Sequence, residues 1–357
     1  MAKFKFIDLF AGIGGIRYAF EQAGGECVFS SEYDKYSQLT YNAFYREMPH
    51  FQDIMEVNPP GDITLLKDAN KIPEHNILLG GFPCQPFSLA GVSKKQSLGR
   101  PHGFSDPTQG TLFFDIKRII KAKNPEAFLL ENVKNIVSHD KHNTFRIILE
   151  TLDKLEYDVF PRVIDSSGWV PQRRQRIYIV GFRRPTKKNN QKWKVENFDE
   201  LEAMESPKGK KALSLADILE DKVPDKYTLG IGTWATLKRH KAHHTKKGQG
   251  FGYGIISPPF AGKISRTLSA RYHKDGAEIL IEQKGKRPRR LTPLECLRLM
   301  GFPKKFEKYF DRINPELQPV SDTQAYRQFG NAVAVPVVSE IARLMVSKLM
   351  DVGAFKT

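Results

Sequence analysis

Cysteine is scarce in this chain of 357 residues: Cys27, Cys84 and Cys296 stand far apart. The number is odd and no pair has metal-ligand spacing, which argues against a disulfide framework and a zinc site. Such usage suits a reducing cytosol and a cytoplasmic protein. Long apolar runs are missing too, and nothing approaches the ~20 residues of a membrane span. The opening residues, Met1-Ala2-Lys3-Phe4-Lys5-Phe6, lack a signal-peptide pattern, and Phe6-Ile7-Asp8-Leu9-Phe10 already reads as folded chain. Internal repeats and low-complexity segments are absent. Acidic residues are outnumbered, 40 Asp and Glu against 56 Lys and Arg, for a formal charge of +16.

The rest of the composition, 40% hydrophobic and 27% charged, is that of a soluble globular protein. The length allows one large domain plus a smaller one. A balance this basic predicts a polyanionic partner, most often nucleic acid; a solubility surface or attraction to membrane is the alternative. The basic residues concentrate after position 170, in Arg173-Arg174, Arg183-Arg184, Lys187-Lys188, Lys210-Lys211, Lys238-Arg239, Lys246-Lys247 and Lys284 to Arg290. Aromatics and glycines interleave with them, as in Gly250-Phe251-Gly252-Tyr253-Gly254, which favours a phosphate-binding face.

Strand and helix patterns alternate through the first half. Phe4 to Leu9 has period two, a glycine turn follows, and Ile16 to Ala23 is an amphipathic helix closed by Gly24-Gly25. Val28 to Ser30, Ile77 to Leu79, Ala127 to Leu130 and Ile177 to Val180 read as strands; Tyr36 to Arg46, Leu112 to Lys123 and Thr144 to Leu155 read as helices. This alternation implies βαβ units and an open parallel sheet with helices on both faces. Residues 185–211 are polar, and 212–290 carry glycines and short β-prone runs without helical periodicity. Helical pattern returns at Thr292 to Met300 and at Val333 to Leu349, the latter placed to pack back on the first domain.

Two loops carry candidate chemistry. Asp8-Leu9-Phe10-Ala11-Gly12-Ile13-Gly14-Gly15 joins a strand to a helix and lets a ligand approach backbone and helix terminus, as loops for NAD, FAD and S-adenosylmethionine all do. Glu32, about 20 residues on, is placed to take ribose hydroxyls, and Asp62 suits an adenine amino group. Gly80-Gly81-Phe82-Pro83-Cys84-Gln85-Pro86-Phe87-Ser88 follows an apolar strand, where ligands of parallel sheets collect. On this segment alone Cys84 is equally a nucleophile and a small buried residue.

The order of Phe-x-Asp-Leu-Phe-Ala-Gly-x-Gly-Gly, Gly-Phe-Pro-Cys-Gln-Pro-Phe-Ser, Glu131-Asn132-Val133, Gln172-Arg173-Arg174-Gln175-Arg176-Ile177-Tyr178 and Gln328-Phe329-Gly330-Asn331-Ala332-Val333 resembles the DNA (cytosine-5) methyltransferases over essentially the whole chain. Gly250 to Gly254, Arg266-Thr267-Leu268-Ser269-Ala270-Arg271-Tyr272 and Pro319 to Tyr326 are most similar to the bacterial Dcm-type enzymes. The resemblance implies an α/β fold: a doubly wound, mostly parallel sheet of S-adenosylmethionine-dependent methyltransferase type with a smaller β-rich target recognition domain. It implies a catalytic domain over 1–185, target recognition over 186–290, a hinge over 291–320 and a return to the catalytic domain over 321–357. Cys84, Glu131, Asn132, Arg174 and Arg176 would be catalytic, with Arg174 and Arg176 on one strand face beside Glu131. Phe10, Gly12, Gly14, Glu32, Tyr33, Asp62, Pro83 and Asn331 would bind S-adenosylmethionine. Tyr33 stands where the family often has tryptophan, and Ala332 where serine is common. Gln85, Ser88, Gln249, Arg266, Thr267, Arg271 and Tyr272 would meet DNA. The segment from Pro83 to Gly110, longer around Val92 to Pro101 than in compact relatives, would be a lid. The implied partner is double-stranded DNA, together with a cognate restriction endonuclease if the enzyme is not solitary. The Dcm-like stretch implies a short palindrome with outer CC and GG as its site. The protein would act as a monomer, without metal or membrane.

Overall fold

The computed structural model describes residues 4–47, 61–83, 112–187, 189–206, 213–248 and 250–355. The chain divides into two compact units, the first formed by Met1–Ile164, Gln175–Met204 and Val338–Thr357, the second by Asp165–Arg174 and Glu205–Val337.

The first unit is built on a six-stranded sheet. Its strands are β1 (Phe4–Leu9), β2 (Gly25–Ser31), β3 (Ile77–Gly81), β4 (Ala127–Val133), β5 (Tyr157–Asp165) and β6 (Gln175–Arg183), in the order β2-β1-β3-β4-β6-β5. β1 pairs in parallel with β2 and β3, and β3 with β4, whereas β4 and β6 are antiparallel. The sheet is therefore mostly parallel, as expected. Ile77, Leu78, Leu79 and Ala127 to Leu130 are wholly buried, because a central strand covered on both faces has no solvent side. Helices Gly15–Gln22, Lys35–Tyr45, Leu112–Lys123 and Asn143–Lys154 lie within one residue of their predicted bounds. β5 escaped prediction because Pro161 sits inside it; proline is tolerated in an edge strand, and β5 is at the sheet's edge. The closing helix, Val335–Asp351, is followed by Phe355, whose ring stacks on Phe4 at 5.3 Å.

The parallel order has one consequence for the site. The carboxyl ends of β1 to β4 share one edge of the sheet, and antiparallel β6 brings its amino end, Gln175-Arg176, to that same edge.

The second unit holds a three-stranded sheet of β7 (Ile255–Ile256), β8 (Leu280–Gln283) and β9 (Lys286–Arg289). The expected recognition region of 186–290 falls in this unit from Glu205 onward, while residues 186–204 belong to the first. One expectation is corrected here: the stretch read as lacking helical periodicity contains a 16-residue helix, Ile231–Lys246. Only Leu237 of that helix is buried, so no apolar stripe exists to reveal it. Helix Pro293–Leu299 starts with a capping box between Thr292 and Glu295. The buried Glu295 carboxylate also accepts both guanidinium arms of Arg289, at 2.8 and 2.9 Å. This bidentate pair ties β9 to the helix and leaves neither charge unmatched in the interior.

Candidate active site

The turn after β1 depends on left-handed backbone. Phe10, Gly12 and Gly14 have φ of 55°, 57° and 82°. Among the described residues nothing lies within 4 Å of a Cβ added to Gly12, so this point of the loop is open to a ligand. The Gly12 amide donates to Glu32 Oε2 at 2.7 Å, and the Asp34 amide to Oε1 at 2.8 Å. Burial pushes the Glu32 carboxyl upward, and these two amides oppose it. Next to it Tyr33 is 78% exposed, a flat ring with no core to serve. Gln38 Nε2 donates to the Glu32 carbonyl, and Ser31 Oγ donates to the Gly61 carbonyl at 2.9 Å. These bonds bring Asp62 to the end of β2. The structure thus gathers Phe10, Gly12, Gly14, Glu32, Tyr33 and Asp62 at one sheet edge.

Beneath the turn lies a buried polar cluster that sequence reading missed. Tyr45 donates its hydroxyl hydrogen to the Gly14 carbonyl, and Arg17 stacks on the Tyr45 ring at 4.2 Å. Arg17 also donates to Tyr41 Oη and to Glu21 Oε1, both at 2.7 Å. An arginine on the apolar face of a short helix was the available signal. Asp8 is fully buried beside this cluster, and neither of its oxygens makes a full hydrogen bond among the described residues. Burial pushes its carboxyl up to about 8, against the pull of the nearby Arg17 charge.

The sign of the resulting pH dependence follows. An unfolded aspartate ionises near ~4, whereas the folded Asp8 keeps its proton until about 8. The stability this proton confers is complete below the unfolded value and is lost as pH rises toward 8. Urea midpoints of the parent should therefore fall relative to Asp8→Asn between pH 5 and pH 8. Parallel profiles for the two proteins would show that Asp8 is ionised in the folded state.

At the same edge β3 and β4 pair Gly81 with Glu131. A Cβ on Gly81 would lie 3.8 Å from Glu131 Oε2, so the end of β3 passes directly beside this carboxylate. Arg176 Nε pairs with Glu131 Oε1 at 3.1 Å, with both side chains largely shielded. Asn132 is buried, and its Nδ2 donates to the Phe82 carbonyl at 3.1 Å, immediately before the exposed Pro83. Cys84, Gln85 and Ser88, with the expected lid, lie outside the described residues, as does Gln249. The Asn132 bond holds the exit of the chain from β3 at Phe82. Asn132→Ala should lower kcat roughly 10- to 100-fold through misplacement of that exit. KM for the expected cofactor should move less than kcat, since Pro83 alone of the expected cofactor residues adjoins this bond. Steady-state kinetics with each substrate varied would separate the two parameters.

Arg174 departs from its expected geometry. β6 begins at Gln175, so strand alternation does not govern Arg174. It belongs to the second unit, is 1% exposed, and donates to the carbonyls of Leu268, Gly330 and Ala332 at 2.9, 3.0 and 2.6 Å. The clamp joins the Thr267-Leu268 dipeptide to the turn around Asn331, an exposed residue at the end of helix Asp322–Asn331. Thr267 Oγ1 donates to the Arg173 carbonyl at 2.5 Å. Arg266 and Arg271 are exposed, with Arg266 Nη1 on the Gly252 carbonyl at 2.8 Å. Tyr272 is corrected: it is fully buried, donating to the Ile279 carbonyl and accepting from the Leu291 amide, both at 2.7 Å. Its hydroxyl is satisfied inside the unit, which makes it a core tyrosine and not a DNA contact.

A family model of C-5 cytosine-specific DNA methylases matches residues 4–347. The chain belongs to this family. It is 47% identical to the DNA-cytosine methyltransferase of Escherichia coli (strain K12), over 99% of this chain and 79% of that one. It is 48% identical to the Type II methyltransferase M.SsoII of Shigella sonnei, covering 97% and 81% of the two chains. With the Type II methyltransferase M.NlaX of Neisseria lactamica the identity is 47%, over 98% of each. Among solved structures, the S. pombe Dnmt2 methyltransferase shares its fold at a TM-score of 0.68 and 17% identity, covering 98% of this chain and 99% of its own. The Entamoeba histolytica methyltransferase EhMeth does so at 0.64 and 18%, covering 97% and 98%. The protein is a DNA (cytosine-5)-methyltransferase, and the family implies S-adenosylmethionine as methyl donor and DNA as substrate.

Proposed function

We propose that this methyltransferase modifies cytosine within a short specific sequence of duplex DNA, flipping the base out of the helix and attacking its C6 with Cys84. A stacked base is inaccessible to such chemistry, and DNA methyltransferases are a general example of base-flipping enzymes. The observation that carries the reading is the Glu131–Arg176 pair beside Gly81, three residues before Cys84, on the edge that also bears the glycine turn and Glu32. C5 of cytosine is a poor nucleophile. Addition of the Cys84 thiolate to C6 breaks the 5,6 double bond and makes C5 an enamine-like carbon. Glu131 meets N3 and the exocyclic amine and relieves the charge that builds on N3 as sulfur adds. Arg176 steadies Glu131 and binds the base O2. Once C5 carries the methyl group, loss of the C5 proton to a base, for which water suffices, and departure of Cys84 as thiolate restore the double bond.

The open Gly12, the Glu32 carboxylate, the exposed Tyr33 ring and Asp62 fit S-adenosylmethionine, with Phe10, Gly14 and Pro83 completing this part of its site. When bound, it supplies an electrophilic methyl group. The enzyme serves a restriction–modification system or acts alone, at a palindrome with outer CC and GG; Arg266, Thr267 and Arg271 lie on the DNA side.

Incubation with methyl-labelled S-adenosylmethionine and either duplex DNA or tRNA tests the substrate class. Label should enter duplex DNA at cytosine C5 alone. Label in tRNA alone would overturn the reading.

A further inference from the structure

Helix Ile231–Lys246 has no part in the site described above, and its construction is unusual. It carries Lys238, Arg239, Lys241 and Lys246, with Lys247 next, and contains no Asp or Glu. Among the described residues none of these five joins an ion pair. Leu237 is buried, Trp234 and His244 are half-buried, and every other residue of the helix is exposed.

One face is accounted for. Leu237 and Trp234 pack with Leu229, Leu280 and Tyr253. The Lys241 stem lies over Gly252, and its ammonium sits 4.3 Å from the Tyr253 ring. Lys238 sits 5.7 Å from the Trp234 ring. At ~100° per residue, the opposite face presents Gly232, Ala235, Thr236, Arg239, His243 and Lys246. Its amino-terminal half is bare: among the described residues nothing lies within 4 Å of a Cβ built on Gly232. Its carboxyl-terminal half is cationic. A helix so exposed, held by so few apolar residues and bearing uncompensated positive charge, fits a large anion better than solvent.

We propose that this outward face seats on the sugar–phosphate backbone of duplex DNA, with Arg239, Lys246 and Lys247 taking phosphates and the bare half allowing close approach. The major groove of B-DNA is ~12 Å wide and admits a helix, whereas the major groove of A-form RNA is too narrow. The contacts position the duplex and do not read its sequence. The assignment rests on the reading of the protein as an enzyme acting on duplex DNA.

The test compares the parent with the triple variant R239Q/K246Q/K247Q, measuring binding to a labelled duplex by fluorescence anisotropy from low to high salt. Each lost phosphate contact removes ~0.9 from the slope of log K against log salt, so the slope should become shallower by about 2 to 3. Kd near physiological salt should rise about tenfold or more. The charge-conserving R239K/K246R/K247R should bind as the parent does. Parental slope and Kd in the glutamine variant would overturn the proposal, as would equal loss in the charge-conserving one. Weakened binding to single-stranded RNA with duplex binding intact would also overturn it. Failure of the parent to methylate any duplex would instead refute the broader reading, since the helix is judged on binding alone.

Discussion

Cys84→Ala should leave the protein folded and able to bind duplex DNA while lowering methyl transfer by about 10⁴-fold or more, the scale of losing a covalent nucleophile. The other thiols offer no substitute. Burial pushes the Cys27 thiol up to about 11, only partly offset by Arg17, and holds the buried Cys296 thiol well above its ordinary range. A thiolate is the reacting species, so both are inert near neutral pH. Single-turnover assays with labelled S-adenosylmethionine measure the loss. Duplex containing 5-fluorocytosine should form a covalent adduct with the parent and none with Cys84→Ala, because fluorine blocks release of the enzyme. An adduct with the variant, or methyl transfer at the parental rate, would remove Cys84 from the chemistry.

Much of this site is readable in the linear chain because its parts are strand ends. A buried parallel strand announces itself as an apolar run, and chemistry then follows at its carboxyl end. Ala127 to Leu130 before Glu131 behaves in this way, and the proposal gives Ile77-Leu78-Leu79 the same relation to Cys84. Arg176 was legible for a related reason, since an antiparallel neighbour enters the sheet at the edge where its partners leave. Other features need three dimensions. The carbonyls that Arg174 holds lie 94 to 158 residues away, a separation no local pattern encodes. Tyr272 sits in a run of residues that resemble a DNA-contacting loop, yet its hydroxyl is claimed by backbone on both sides. Helix Ile231–Lys246 is silent because periodicity detects burial, and this helix buries almost nothing.

Gly14→Ala should fail in two ways at once, and the contrast with Gly12→Ala separates them. Both glycines have positive φ, so any side chain at either position costs roughly 1–2 kcal/mol of backbone strain. Gly12 faces open space, and its alanine variant should stop there in stability while losing affinity for S-adenosylmethionine through blocked approach. At Gly14 the new Cβ would overlap the Tyr45 ring, far inside van der Waals contact. That ring cannot retreat. It is wholly buried, stacked against Arg17 and bonded through its hydroxyl to the Gly14 carbonyl itself. Overpacking of this kind adds about 1–3 kcal/mol. Gly14→Ala should therefore unfold at distinctly lower urea than Gly12→Ala, and calorimetric titration should find binding of S-adenosylmethionine weakened by about 10²-fold or more. If the overlap is the cause, Gly14→Ala should cost less in a Tyr45→Leu background than in the parent, a coupling that a double-mutant cycle reads directly. Additive costs would mean that the loop responds to its own backbone alone and that Tyr45 is not its floor.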